Sequence, residues 1–374
     1  MGGIGRVGAT LASSIVVNRR QSPAVRRRLS SFVTYIRRIM TSQQIMALPV
    51  LDISKLQDPA QRDAFIAEIS RTAHEVGFFY IAGHGIPQTL IDEMLTLSRR
   101  FFDLPEEEKL KVEMINSPHF RGYTRVGMEI TRGQRDWREQ IDIGAEREAL
   151  PRTPDLPAYK RLQGPNQWPA TLPELRDTVL RYQEAVIDLS KRLLQAFALA
   201  LGQPENAFES IYTPEPHRLM KIVRYPGRDV TESEQGVGAH KDSGFLTVLL
   251  QDVQSGLEVE YEGNWISAPP IRGTFIVNIG EVLEMVSDGY LRATMHRVVT
   301  PPAGTDRLSV PFFFAARLDA TVPLFDLPPA LAASRRGVER DPQNPLFREV
   351  GRNHLKSRLR SHPDVAQKHH ADLL

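Results

Sequence analysis

The sequence predicts an α+β fold with a mostly β core, a jelly roll (double-stranded β-helix) backed by N-terminal helices. Two observations predict it. Three stretches with helical periodicity lie within residues 58–202, whereas short β-branched and aromatic runs separated by Gly, Pro and Asp begin at Arg218. Seven or eight short strands at such spacing are typical of a jelly roll or a related sandwich. With 41% hydrophobic and 25% charged residues, the composition is that of a globular protein.

Three amphipathic helices are predicted in the N-terminal half. They cover residues 58–77, 87–101 and 173–202, and in each of them apolar residues recur at steps of three and four. Asp58 is the candidate N-cap of the first helix, and Gly77 ends it. Residues 103–172 are rich in Pro, Gly and charge, and we interpret them as loops and short strands over one face.

Seven strands are predicted after the longest helix. They cover residues 219–225, 245–251, 257–261, 265–268, 274–279, 293–299 and 308–315. The predicted organisation is a leader (1–46), a helix-rich region (47–217), a jelly-roll core (218–320) and a C-terminal extension (321–374) that packs outside the core.

Residue composition narrows the possible functions. The chain has no cysteine, which excludes disulfides, zinc-thiolate sites, iron-sulfur clusters and cysteine nucleophiles. Any metal must therefore be bound by His, Asp or Glu. The formal net charge is +2, but eight arginines lie in residues 1–46; without them 39 basic and 45 acidic residues remain. That balance argues against a nucleic-acid surface.

The leader is rich in Arg and Ser and contains no acidic residue. This composition is typical of an organellar transit peptide, but a disordered basic tail or a mis-called start, with translation beginning at Met40 or Met46, fits as well. The expected location is the cytoplasm, or the mitochondrion if the leader is genuine and the source eukaryotic. No apolar stretch approaches the ~20 residues that span a bilayer, so a soluble protein is expected.

Two histidines and one aspartate are the candidate metal ligands. His240 and Asp242 are two apart on an extended segment and so point to the same side, and His296 lies at the start of a later strand. Two His and one carboxylate form the facial triad of non-haem Fe(II) oxygenases. His-x-Asp also occurs at His362 and His370, but no strand follows there, and we expect neither to bind iron.

Arg307 and Ser309 are the candidate anion clamp. They lie two residues apart on a predicted strand, eleven residues after His296, so their side chains point the same way. A guanidinium can bind a carboxylate through two parallel hydrogen bonds. The same tripeptide occurs in the leader at residues 28–30, so the order and spacing relative to the metal ligands carry the information.

With these motifs the sequence resembles the isopenicillin N synthase-like branch of the 2-oxoglutarate and Fe(II)-dependent dioxygenases. The resemblance covers most of residues 47–320. It is carried by Pro49-Val50-Leu51-Asp52, Gly77-Phe78-Phe79-Tyr80, Gly83-His84-Gly85-Ile86, Arg224-Tyr225-Pro226, His240-Lys241-Asp242, Val277-Asn278-Ile279-Gly280, His296-Arg297 and Arg307-Leu308-Ser309.

The resemblance implies an oxygenase that uses Fe(II), O2 and the cosubstrate 2-oxoglutarate. Arg307 and Ser309 would bind the distal carboxylate of 2-oxoglutarate with help from Tyr225, while its keto oxygen and proximal carboxylate would occupy two positions on the metal. Plant members often carry Asn two residues before the tyrosine, where this chain has Val223. We interpret His84 as structural.

The expected reaction is hydroxylation or desaturation of a small molecule, with release of succinate and CO2. Three alternatives stay open from the sequence: fragmentation of 2-oxoglutarate to ethylene, an oxidase reaction without 2-oxoglutarate, and a non-enzymatic jelly-roll binding protein. Apolar residues expected to line the pocket include Leu249, Phe275 and Phe312. No membrane or nucleic-acid partner is expected, and the sequence indicates neither the substrate nor the oligomeric state.

Overall fold

Two facing β-sheets form the core of the protein. The structure, a computed structural model, describes residues 47–374 except 232, 340 and 343. Its strands are β1 (Val50–Asp52), β2 (Phe78–Ala82), β3 (Gly122–Thr124), β4 (Ile130–Thr131), β5 (Gln134–Arg135), β6 (Glu139–Gly144), β7 (His217–Tyr225), β8 (Gln235–His240), β9 (Leu246–Gln251), β10 (Leu257–Tyr261), β11 (Asn264–Ser267), β12 (Phe275–Ile279), β13 (His296–Val299) and β14 (Arg307–Ala315).

The strand order is that of a jelly roll. The large sheet has eight strands in the order β1-β2-β12-β9-β14-β7-β6-β3, and the small sheet has four in the order β11-β10-β13-β8. Along β7 to β14 the chain alternates between the sheets, apart from the β10–β11 hairpin, and leaves four of these strands in each. The predicted mostly β core with a jelly roll is therefore confirmed.

The two faces of the large sheet have different partners. On β9, β12 and β14, every second side chain points into the space between the sheets and the others point towards the helices. Because both faces are covered, these strands are apolar almost throughout; residues 246–250 and 275–279 are all buried.

The helices lie on the outer face of the large sheet and around its edges. They are α1 (Arg62–Glu75), α2 (Gln88–Phe102), α3 (Glu106–Leu110), α4 (Glu174–Ala200), α5 (Glu209–Tyr212), α6 (Glu281–Val286), α7 (Pro329–Ala332), α8 (Val350–Ser361) and α9 (Pro363–His369). The 27-residue α4 packs against α1, α2, β9 and β14, so it backs the sheet.

The structure corrects several predicted bounds. The first helix begins at Arg62 instead of Asp58, because Ile53–Gln57 forms a 3-10 turn and the Asp58 carboxylate accepts a hydrogen bond from the Ala60 backbone N–H (2.9 Å). The strand predicted over residues 293–299 is only His296–Val299. Strand β8 was not predicted, because Gly236 and Gly238 interrupt its pattern.

Residues 103–172 do more than cover one face. Strand β6 is buried along its whole length and pairs with β7, and β3 pairs with β6 at the edge of the large sheet. This segment therefore extends the large sheet, which carries Tyr225 on β7 and Arg307 on β14.

The C-terminal helices are tied to the sheet by buried charges. Arg358 on α8 donates to Asp142 on β6 at 2.7 Å, and the Nε2 atom of His362 lies 3.5 Å from Glu129. His362 and His370 are both buried, so they lie in the protein interior and not in a solvent-exposed tail. The predicted domain boundaries at residues 217 and 320 stay predictions.

The predicted leader, residues 1–46, lies outside the described residues, as does its assignment to targeting or to a mis-called start. Among the helices that the structure describes, none combines the length and the apolar character needed to cross a bilayer.

Candidate active site

His240, Asp242 and His296 come together at one end of the small sheet. His240 ends β8 and His296 begins β13, and the antiparallel register places these two residues directly opposite each other. Their ring centroids are 4.3 Å apart. The Nε2 atoms of His240 and His296 lie 3.6 and 3.8 Å from Oδ1 of Asp242. Strand pairing therefore brings together ligands that are more than fifty residues apart in sequence.

The two imidazoles are oriented by their own backbone. Nδ1 of His240 lies 2.8 Å from the Gly238 carbonyl, and Nδ1 of His296 lies 3.1 Å from the Thr294 carbonyl. A carbonyl oxygen only accepts, so Nδ1 carries a proton in each ring and Nε2 is the nitrogen that faces the shared centre. This arrangement of outer hydrogen bonds is typical of metal-binding histidines.

The two oxygens of the Asp242 carboxylate have different partners. Its Oδ2 accepts hydrogen bonds from Thr247 Oγ1 at 2.5 Å and from Asn278 Nδ2 at 2.8 Å. Its Oδ1 faces the two imidazoles. Asp242 is therefore held ready to supply one oxygen to a metal. Sequence reasoning singled out Asn278 only as part of a motif and gave Thr247 no role.

Gly280, the last residue of the Val277-Asn278-Ile279-Gly280 motif, allows the backbone to pack closely behind Asp242. A Cβ atom at Gly280 would lie 2.1 Å from the Gly244 carbonyl oxygen and 3.2 Å from that of Asp242. The backbone N–H of Glu281 donates to the same Asp242 carbonyl at 2.8 Å. Only glycine permits this close approach, which fixes the backbone around Asp242.

The charges of Asp242 and His296 suit a cation. Burial alone would raise the pKa of Asp242, but the neighbouring His296 and His240 and the Asn278 hydrogen bond hold it well below its ordinary value. Burial and the neighbouring His240 lower the pKa of His296 to about 4. At neutral pH the site thus offers a carboxylate and a neutral imidazole at His296, the forms that bind metal.

Arg307 and Tyr225 lie deeper between the sheets, paired across β14 and β7. Arg307 is fully buried, its Cζ lies 5.1 Å from the Tyr225 ring centre, and its Nη2 donates to Gln251 Oε1 at 2.7 Å. Its Nε and Nη1 have no hydrogen-bond partner. Ser309, also buried, pairs with Gln251 two residues along on the same face. Two unpaired donors on a buried cation are costly unless an anion binds them.

The pocket lining differs from the prediction at two of three positions. Phe275 and Phe312 point to the helical side of the sheet, where Phe275 meets Tyr182 of α4 with ring centroids 6.5 Å apart. Phe313 pairs with Thr247, so it shares the inner face with the candidate site, and Leu249 does as predicted. Residues 312–314 are all phenylalanine. Without an alternation of apolar and polar residues, the sequence does not show which of these side chains point to the inner face of the sheet.

A second charged cluster, absent from the sequence prediction, borders the ligands. Nη2 of Arg138 lies 2.7 Å from Glu129 Oε2 and 3.3 Å from Asp136 Oδ2, and Lys221 donates to Glu129 at 2.6 Å. Asp136 Oδ1 accepts from the Gly238 N–H at 3.2 Å, two residues before His240. No spacing rule connects residues 129–138 with β8, so only the fold reveals this neighbourhood.

A cavity of about 740 Å³ lies elsewhere, between α2 and the outer end of the large sheet. Its lining includes Leu95, Arg99, Ile271 and Gln251, the hydrogen-bond partner of Arg307, and none of the six predicted site residues. We assign it no part in the chemistry.

In the part of the chain that the structure describes, one group of three His, Asp or Glu side chains can hold a metal, and it is His240, Asp242 and His296.

Residues 48–171 match the family model described as non-haem dioxygenase in morphine synthesis N-terminal, and residues 216–316 match that of the 2OG-Fe(II) oxygenase superfamily. The chain belongs to this superfamily. The predicted isopenicillin N synthase-like branch is confirmed, as are Fe(II) and 2-oxoglutarate as cofactor and cosubstrate.

Individual relatives agree. The oxygenase is 40% identical to a 2-oxoglutarate-dependent dioxygenase of Dothideomycetidae sp. (strain 11243), covering 86% of this chain and 91% of the relative. It is 37% identical to a homoarginine-6-hydroxylase of Arabidopsis thaliana, covering 75% and 88%. The solved structure of a full-length Neurospora crassa protein in complex with alpha-KG superimposes with a TM-score of 0.65 at 25% identity, covering 78% and 93%.

The residues present fit the two groups that the superfamily uses. The three converging donors match the two-His, one-carboxylate set that non-haem Fe(II) prefers, and three protein ligands leave coordination positions open. The unpaired nitrogens of Arg307 fit a carboxylate such as that of 2-oxoglutarate. The protein is therefore an Fe(II)- and 2-oxoglutarate-dependent dioxygenase that acts with O2 on a small molecule.

Proposed function

We propose that the oxygenase hydroxylates or desaturates a small organic molecule with iron on His240, Asp242 and His296. One observation carries the assignment of the ligands. Each of the three side chains has one polar atom tied to the protein and the other directed at a common point. Such preorganisation removes the entropic cost of collecting the ligands around the ion.

The second part of the proposal places the distal carboxylate of 2-oxoglutarate on Arg307 and Ser309, beside Tyr225. Gln251 holds Nη2 of Arg307, and Nε and Nη1 are left without hydrogen-bond partners, so the guanidinium still has N–H groups that can donate to an anion. The site is buried, so charge neutralisation there is worth more than it would be in water. Gly256 approaches the Arg307 stem, where a Cβ atom would lie 3.1 Å from Cδ, which limits rotation of the side chain.

With iron bound by the three ligands, O2 would be the oxidant: it would take two electrons from 2-oxoglutarate, which becomes succinate and CO2, and two from the substrate. The chain contributes position and protection. The Asp242 and histidine hydrogen bonds hold the ligands, and Arg307 sets the depth at which the cosubstrate lies. Leu249 and Phe313 give an apolar lining beside the ligands, which excludes water from the reacting groups.

The substrate is the least constrained element. The homoarginine-6-hydroxylase to which the chain is 37% identical is named for an amino acid, and its similarity extends over 88% of that relative. L-Homoarginine is therefore the first compound to assay, with other amino acids, small carboxylic acids and phenolics after it.

The test is an aerobic screen of the Fe(II)-loaded enzyme for succinate release from 2-oxoglutarate. At least one compound should stimulate release well above the substrate-free rate, and mass spectrometry of that compound should show the gain of one oxygen or the loss of two hydrogens. A matched sample of His296→Ala should release no succinate above the protein-free control.

The open alternatives correspond to distinct results. Abundant ethylene in the headspace, with no oxidised product, would favour fragmentation of 2-oxoglutarate. Oxidation of a substrate without consumption of 2-oxoglutarate would move the enzyme to the oxidase type. Absence of any 2-oxoglutarate turnover across the whole screen would contradict the proposal.

A further inference from the structure

Arg138 lies between the candidate iron ligands and the Arg307 clamp. Glu139 pairs with Arg224 across β6 and β7, so one step further along both strands brings Arg138 level with Tyr225, which itself pairs with Arg307. The phenol of Tyr225 interacts with both guanidinium groups. These three side chains therefore form one row on the inner face of the large sheet.

The other side of Arg138 is linked to the metal site. Its Nη2 contacts Asp136, whose Oδ1 accepts from the Gly238 N–H, and the Gly238 carbonyl holds Nδ1 of His240. The backbone of Trp137 also donates to Gln235 on β8 at 3.3 Å. The position of Arg138 is thus fixed relative to His240 through a short chain of hydrogen bonds.

The carboxylate partners of the Arg138 guanidinium all lie at one of its nitrogens. Both carboxylate contacts, from Glu129 and Asp136, use Nη2, while Nε of Arg138 has no hydrogen-bond partner. The side chain is 10% exposed, so water does not readily replace a missing partner. Glu129 itself is shared with Lys221 at 2.6 Å, so it is not free to turn towards Nε. A largely buried, oriented guanidinium with an unpaired N–H group is suited to a carboxylate.

We propose that Arg138 is a second carboxylate anchor, which binds a carboxylate of the primary substrate and so selects small acids or amino acids. This inference rests on the proposed function, in which Arg307 and the metal already take the two carboxylates of 2-oxoglutarate. A third anion in the pocket must then belong to the substrate. Its binding would place the rest of the substrate beside the metal, at the open end of the row.

The test compares acids with their uncharged amides. The probes are L-homoarginine, L-arginine, indole-3-acetate and benzoate, each paired with its primary amide. Anaerobic thermal-shift titration of the Fe(II)- and 2-oxoglutarate-loaded protein measures binding without turnover, and succinate release measures KM. The variants are Arg138→Met, Arg138→Lys and the control Arg135→Met, which removes an exposed arginine three residues away on β5.

At least one acid should bind and stimulate turnover of the wild-type enzyme much better than its amide. Arg138→Met should raise the KM for that acid by about 30-fold or more, because a buried charge loses its partner. The KM for the amide should change little. Arg138→Lys keeps the charge without the planar fork and should recover part of the preference, while Arg135→Met should behave as wild type.

Other results would overturn the inference. If 2-oxoglutarate affinity falls in Arg138→Met as much as acid affinity, the carboxylate belongs to the cosubstrate instead. Equal use of acids and amides, or no acid-dependent response by any probe, would remove the anchor role altogether. Loss of all 2-oxoglutarate turnover in the wild type and in Arg135→Met would instead count against the proposed function itself.

Discussion

The hydrogen bonds behind Asp242 give the sharpest quantitative prediction. Oδ2 of Asp242 accepts from Asn278 at 2.8 Å and from Thr247 at 2.5 Å, and both donors are buried. A hydrogen bond to a charged group contributes about 1.5–3 kcal/mol. Without these donors the carboxylate can rotate, so Oδ1 is no longer fixed at the metal position.

Asn278→Ala and Thr247→Val should each weaken Fe(II) binding about 10-fold, and the double variant about 100-fold, the range typical of groups that orient metal ligands. Anaerobic competition of the enzyme with a chelator of known affinity measures the change. Asn264→Ala and Thr96→Val, both at exposed positions, serve as matched controls and should bind as wild type. Circular dichroism must show that the variants are folded.

Two results would refute this reasoning. A folded double variant that binds Fe(II) within about 2-fold of the wild type would show that Asp242 needs no support. An equal loss of affinity in the exposed controls would show that the effect is not specific to the Asp242 hydrogen bonds.

Three further predictions concern the Arg307 clamp, the leader and a buried histidine. Arg307→Ala should weaken 2-oxoglutarate binding by ~2–5 kcal/mol and Ser309→Ala by about 1–3 kcal/mol, with iron affinity nearly unchanged; isothermal titration that finds wild-type affinity in Arg307→Ala would be evidence against the clamp. A protein starting at Met46 should fold and turn over normally, because the leader lacks the periodicity to join a core; a large loss of solubility or activity would contradict this. Burial and neighbouring arginines lower the pKa of His354 to about 4, so stability should be complete above about pH 6.5 and fall as the pH drops towards 4. Between pH 7.5 and 5 the free energy of unfolding, measured by thermal melts, should fall by about 1–2 kcal/mol less in His354→Gln than in the wild type. The same pH dependence of the unfolding free energy in both proteins would argue against this role of His354.

Much of the fold was predictable because its signals are local. The long α4 helix was predicted to within two residues at each end, since its apolar face repeats over 27 residues. Strand β8 was missed, because its two glycines remove the alternation that marks a strand, although it carries His240. The conformation there is set by pairing with β13, which is not encoded locally.

Of the candidate site, the residues of the sequence motifs were predictable and their supporting partners were not. The order and spacing of His240, Asp242 and His296 pointed to a shared metal, and the structure brings them together. Arg138 and Gln251 were missed, because nothing in their sequence neighbourhoods says which distant strand they face. Their roles depend on register across the large sheet, a property of the folded chain.

The most direct test of the central claim is anaerobic titration of the protein with Fe(II) and 2-oxoglutarate, followed by visible absorption. The wild type should bind one Fe(II) per chain and develop a weak charge-transfer band, because metal and keto acid occupy one site. His296→Ala should lose the band, whereas His362→Ala, if folded, should retain it, since His362 lies outside the metal-binding group. A full band and full turnover in His296→Ala would contradict the assignment of iron to His240, Asp242 and His296.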